Sequence, residues 1–141
     1  MTGGWRTQLN RVRRWWRRLS NATDPHDRED YLYAFFENAF HLRDWLRDTG
    51  EVAEADLAKF FEVNEEMRLC RDLANSHKHY SLRHASQSAP PSEVREYWPG
   101  GGNFTADVSL TILSEGKKYD AFVLAKRILD RWEEFIASSC K

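Results

Sequence analysis

Between residues 70 and 79 the chain sets seven polar side chains into ten positions, Cys70-Arg71-Asp72-Leu73-Ala74-Asn75-Ser76-His77-Lys78-His79. These residue types fit one chemistry. Cleaving an RNA phosphodiester without a metal needs a base for the 2′-hydroxyl, an acid for the leaving oxygen and a cation against the developing phosphate charge. Histidine takes either proton role near neutral pH, and arginine offers a planar fork to phosphate. At about 100° per residue Asn75 falls roughly 40° from Arg71 and His79 about 80° from it, so the three share one broad helix face with Asp72 beside them. His77 falls about 120° from Arg71 and joins that face only if the last turn loosens or the facing residue comes from another subunit. The same residues also read as an ordinary helix end, with Arg71 and Asp72 as a surface ion pair and Asn75 as a hydrogen-bonding residue.

The elements that must position this segment follow from periodicity and capping. Asp24-Pro25 is a helix start, since Asp accepts from the first-turn amides and Pro has no amide to orphan. Leu32, Phe35, Phe36, Ala39, Leu42, Trp45 and Leu46 then follow helical spacing up to Gly50, which makes this the expected central helix. A shorter helix is expected from about Glu54 to Glu62, and Asn64 is placed to cap a third that runs to His77 or His79. One bent helix across Val63 is the alternative. Pro90, Pro91 and Pro99-Gly100-Gly101-Gly102 cannot continue a helix. Val94 to Trp98 is a short strand candidate, and Val108, Leu110 and Ile112 alternate within Phe104 to Leu113 before a turn at Ser114-Glu115-Gly116. From Asp120 onward Ala121, Leu124, Ala125, Ile128, Trp132, Phe135 and Ile136 restore a helical stripe. The expected fold is mainly α, a four- to five-helix bundle with a small antiparallel β-hairpin insertion at about 92–117.

A chain of 141 residues with 41% hydrophobic and 30% charged composition is sized for one globular domain and too apolar for a disordered one. No apolar run approaches the roughly 20 residues of a membrane span, so no span and a cytoplasmic location are expected. Two cysteines, Cys70 and Cys140, make neither a disulfide framework nor a zinc site. Net charge is −1, yet residues 1–20 carry six arginines (Arg6, Arg11, Arg13, Arg14, Arg17 and Arg18) and no acid. Trp5, Leu9, Val12, Trp16 and Leu19 recur at helical spacing there, so residues 1–22 read as a basic amphipathic helix packed on or next to a single helical domain at 23–141. Its arginines suit a solvated face, a nucleic-acid backbone or an anionic membrane surface.

The stretch from Arg71 to His77 resembles the signature of the HEPN (higher eukaryotes and prokaryotes nucleotide-binding) superfamily, an Arg, a polar residue and a His a few positions later. The layout is similar too: an aromatic-rich helix, the motif helix and a closing C-terminal helix, over about residues 25–82 and 120–139. The resemblance implies a metal-independent endoribonuclease of toxin or defence type, acting as a homodimer with a composite site, and accompanied by an antitoxin or other partner protein. It assigns Arg71 to phosphate, Asp72 to orienting Arg71 or His77, and His77 to proton transfer. Asn75, Lys78 and His79 would support binding, and which of His77 and His79 acts is left open. The basic arm, through Arg13, Arg14, Arg17 and Arg18, would add affinity for the RNA backbone.

Other chemistries fit less well. His77, His79 and His84, joined by His41 or Cys70, suggest a metal, but spacing by two on a helix points the first two about 160° apart. Gly100-Gly101-Gly102 lacks the Lys and Ser or Thr of a phosphate loop. No cofactor and no metal is therefore expected. A different class of function, a non-enzymatic protein-interaction or oligomerisation module using the aromatic and Arg-rich first helix, is the alternative reading.

Overall fold

The computed structural model describes residues 4–78, 92–97, 109–114 and 116–140, with side chains placed at 4–75, 110–114 and 116–140. Among these the chain is mainly α. Five helices run α1 (Gly4–Asn21), α2 (Pro25–Asp48), α3 (Glu54–Val63), α4 (Glu65–Lys78) and α5 (Ala121–Ser139), with strands β1 (Ser92–Tyr97), β2 (Ser109–Ser114) and β3 (Lys117–Asp120) inserted between the last two.

Helix α2 is the hub, touching every other helix. Its start is set by Asp24, which accepts from the His26 amide at 2.8 Å and the Asp27 amide at 3.1 Å, with Pro25 as the first helical residue. Its end is set by Gly50, whose φ of 77° only glycine adopts freely. The Gly50 amide donates to Arg47 and the Glu51 amide to Leu46, the paired bonds of a Schellman stop. Between these ends Leu32, Phe35, Phe36, Ala39, Leu42 and Leu46 are buried.

Helix α1 lies along α2 and contributes Trp5, Leu9, Val12 and Leu19 to the same buried cluster. Gln8, also buried, donates to the Asn38 carbonyl at 2.9 Å, so a polar residue in the apolar stripe is satisfied rather than orphaned. On the other side α5 closes the core. Trp132 is fully buried and donates from Nε1 to the Ala39 carbonyl at 2.9 Å, while Phe60 of α3 stacks on Phe135 with centroids 4.2 Å apart.

The break after Val63 is real, since α3 and α4 are separate helices around Asn64. Asn64 serves the helix behind it, however. Its Nδ2 donates to the Phe60 carbonyl at 2.9 Å, closing α3, whereas the start of α4 relies on the Asn64 backbone carbonyl. The sheet is an antiparallel meander in the order β1-β2-β3. Leu110, Ile112 and Ser114 of β2 turn inward, as the period of two predicts. Ser114 pairs with Lys117, and Gly116 just before Lys117 has a φ of 79°. The third strand was not expected, because Lys117-Lys118-Tyr119-Asp120 lacks apolar alternation; pairing with β2 makes it a strand. Residues 104–108 and Trp98, placed in strands from the sequence, lie outside the described residues.

Candidate functional site

The stripes that α2 and α4 bury against each other leave half-exposed positions along their margins. On α4, Met67, Cys70, Leu73 and Ala74 pack inward, which carries Arg71 and Asn75 to the edge. On α2, Phe36, Ala39 and Leu42 pack inward, which carries Glu37, Phe40, His41, Arg43 and Asp44 to the facing edge. Together these residues and Ala74 line an open cleft of about 730 Å³. That lies within the range of small-ligand sites, about 300–1,000 Å³.

The lining is chemically mixed. Arg43 lies over the Phe40 ring at 4.5 Å from its centroid and pairs with Asp44 at 3.3 Å. Arg71 is less constrained, with Asp72 at 3.6 Å, an ion pair too long for a hydrogen bond. Two guanidiniums and two carboxylates, Glu37 and Asp44, therefore line one cleft with an exposed imidazole, His41, between them in sequence. A bare anion would meet those carboxylates unfavourably. A nucleotide suits the set better, because guanidiniums bind phosphate, carboxylates accept from ribose hydroxyls or base amino groups, and a ring stacks on a base.

The residues singled out in the sequence land unequally. Arg71 and Asn75 share the cleft, and Asp72 sits beside Arg71. His77 and Lys78 belong to the last turn of α4, but their side chains lie outside the described residues, as does all of His79. Position 77 follows Cys70 by seven residues, which places it about 20° from the buried Cys70 stripe on a regular helix. Cys70 donates to the Phe36 carbonyl at 3.5 Å, and burial, reinforced by Asp72, pushes its thiol well above the usual range, so it is a packing residue and not a nucleophile. On α1, Arg13 is held by Glu133 at 2.7 Å and by Asn10 at 3.0 Å, Arg18 lies over Trp15 at 4.8 Å, and Arg14 and Arg17 are exposed. Among the described residues, no group of three His, Cys, Asp or Glu has metal-holding geometry.

Sequence reasoning did not single out Glu37 or Arg43, and it weighed His41 only as a metal ligand. The available signal was their crowding on the polar side of α2, with Glu37 and His41 four apart. That signal points nowhere until α4 supplies the opposite wall. Comparisons with protein-family models, curated proteins and solved structures find no match for this chain.

Proposed function

We propose that the cleft between α2 and α4 binds a nucleotide of RNA, and that the protein is a metal-independent endoribonuclease of toxin or defence type acting as a homodimer. The observation that supports this is the gathering of Arg71 and Asn75 with Glu37, His41 and Arg43 around one open cleft. In this reading Arg71 and Arg43 hold the phosphate and stabilise its developing charge, and Asn75 and Asp44 contact the nucleoside. His41 and Glu37 are the cleft's own candidates for moving protons to and from a bound phosphodiester, and the family resemblance adds His77, whose side chain lies outside the described residues. In a dimer that brings two α4 helices together, paired Arg71 side chains repel unless Asp72 or bound phosphate compensates. The strand itself then favours the assembly.

The test is a substitution series measured for RNA cleavage and for RNA affinity by fluorescence anisotropy. Arg71→Ala should weaken RNA binding about tenfold or more, the size expected for losing a charged hydrogen bond, without changing the circular dichroism spectrum. Arg71→Lys should restore only part, because the fork is lost. His41→Ala and His77→Ala should leave affinity within about threefold, and at least one should abolish cleavage. If Arg71→Ala binds RNA as wild type does, the cleft is not the binding site. If His41→Ala, His77→Ala and His79→Ala all cleave normally, the proton-transfer assignment fails.

A further inference from the structure

Helix α1 presents a second surface, distinct from the cleft and from its own buried stripe. Arg11, Arg14, Trp15 and Arg18 fall at i, i+3, i+4 and i+7, one helical face. Arg14 and Arg18 are exposed, Arg11 and Trp15 are half-buried, and α1 contains no acidic residue. This face meets the aromatic edge of α2. The Trp15 ring lies 5.7 Å from Tyr31 at an interplanar angle of 49°, and the Arg18 guanidinium lies 4.8 Å from the Trp15 centroid. Farther along, Arg11 donates to Gln8 at 2.6 Å and places its guanidinium 5.9 Å from the Trp45 ring. Tyr31, Trp15 and Trp45 are all half-buried, so part of each side chain stays exposed.

The other edge of α1 differs. Arg13 is engaged by Glu133 of α5, and Arg17 falls roughly 160° round the helix from Trp15. The six arginines are thus not one uniform charge cloud. Arg11 and Arg18 lie over rings along the α1/α2 seam and Arg14 shares their face, whereas Arg6 lies over Trp5 at the start of the helix and Arg13 is tied to α5.

Charge interleaved with accessible rings is the arrangement that holds single-stranded nucleic acid, where guanidiniums follow the phosphates and bases stack on aromatic faces. From Tyr31 to Trp45 the seam extends about 21 Å along α2, long enough for several unstacked nucleotides. Trp45 is also the chain neighbour of Asp44, which lines the cleft. We propose that the Arg11, Arg14, Trp15 and Arg18 face of α1, with Tyr31 and Trp45 of α2, is a track that binds single-stranded RNA and leads it round α2 to the cleft. The proposal rests on the reading of this protein as RNA-binding and adds the strandedness of the substrate and a second contact surface. Binding moves Arg18 from the Trp15 face onto a phosphate and gives the indole face to a base.

The experiment titrates the full chain with a fluorescein-labelled 12-residue oligouridine, followed by anisotropy at several salt concentrations. Arg14→Ala/Arg18→Ala should weaken binding about tenfold or more and reduce the salt slope by about 1.4, at roughly 0.7 per lost phosphate contact. The charge-matched pair Arg13→Ala/Arg17→Ala, grouped with Arg14 and Arg18 by the sequence but set on the opposite edge of α1 by the structure, is no part of the track and should change affinity less than about threefold. Trp15→Ala should weaken it about tenfold, with folding verified by circular dichroism. Equal losses in the two arginine pairs, a tighter complex with a duplex of the same length, or equal competition by polyglutamate would each overturn the track, since any of them reduces it to general charge. If oligouridine binds and only Arg71→Ala weakens it, the track fails while the cleft reading stands. If wild type does not bind oligouridine or any longer RNA, both fail together.

Discussion

Arg71 and Cys70 are adjacent in the chain and separated in fate by one step of helix rotation. Cys70 turns into the core and Arg71 to the cleft, so the same turn of α4 contributes both packing and charge. Burial of the Cys70 thiol makes stability depend on pH in a defined direction. Its pKa is raised on folding from an ordinary value of 9.0. The thiol therefore binds its proton more tightly in the folded chain, and its contribution is fully present below about pH 9 and lost as pH rises beyond it. Urea unfolding at pH 8 and pH 10 should show the wild type losing about 1 kcal/mol more stability than Cys70→Ala does over the same interval. An equal loss in both proteins would mean that this thiol does not ionise on unfolding. A thiol reagent should label Cys140 in the native protein and reach Cys70 only on unfolding, because Cys140 is half-buried and Cys70 fully buried.

At the scale of elements, the helices that build the cleft are positioned by a few specific bonds more than by propensity. The Trp132 Nε1 bond to Ala39 joins α5 to the middle of α2, four positions or fewer from Phe40, His41 and Arg43. Replacing Trp132 by Phe removes the second hydrogen bond of the Ala39 carbonyl, strands none of its helical pairing, and leaves a gap beside Phe60 and Phe61, which contact the indole at centroid distances of 5.0 and 5.7 Å. The expected cost is about 2–4 kcal/mol, read as a lower urea midpoint with an unchanged slope. The caps of α2 were readable in the sequence because Asp24-Pro25 and Gly50 act on their own neighbours. Asn64 shows the limit of that reasoning. An Asn between two helices can serve either, and here its amide closes α3, a choice set by how the two helices turn against α2 and α5.

For the whole molecule, the question is whether α1 is an appendage or part of the core. Trp5, Leu9, Val12 and Leu19 join the same buried cluster as Phe35 and Trp132. Each such burial contributes roughly 1.5–3 kcal/mol, against a total of about 5–15 kcal/mol for an ordinary domain. Deleting residues 1–20 should therefore abolish cooperative urea unfolding. A truncated chain that unfolds cooperatively and only changes its oligomeric state would instead favour the interaction-module reading, in which the first helix serves a partner. The apolar stripe that such a partner would take is already covered by the protein's own body, leaving the arginine-rich face outward.

What the sequence determined by itself was everything that depends on a residue and its near neighbours along one element. The stripe of α1, the ends of α2, the alternation in β2 and the shared face of Arg71 and Asn75 are consequences of backbone period and capping, and a single chain segment contains all the information they need. Tertiary structure alone decided what depends on two elements meeting. It brought Glu37, His41 and Arg43 opposite Arg71, tied Arg13 to Glu133 across 120 positions of chain, turned Lys117–Asp120 into a strand, and set Trp15 beside Tyr31. A helix specifies which of its side chains share a face, but the chemistry of a cleft is fixed by the wall that faces it, and that wall is chosen by packing.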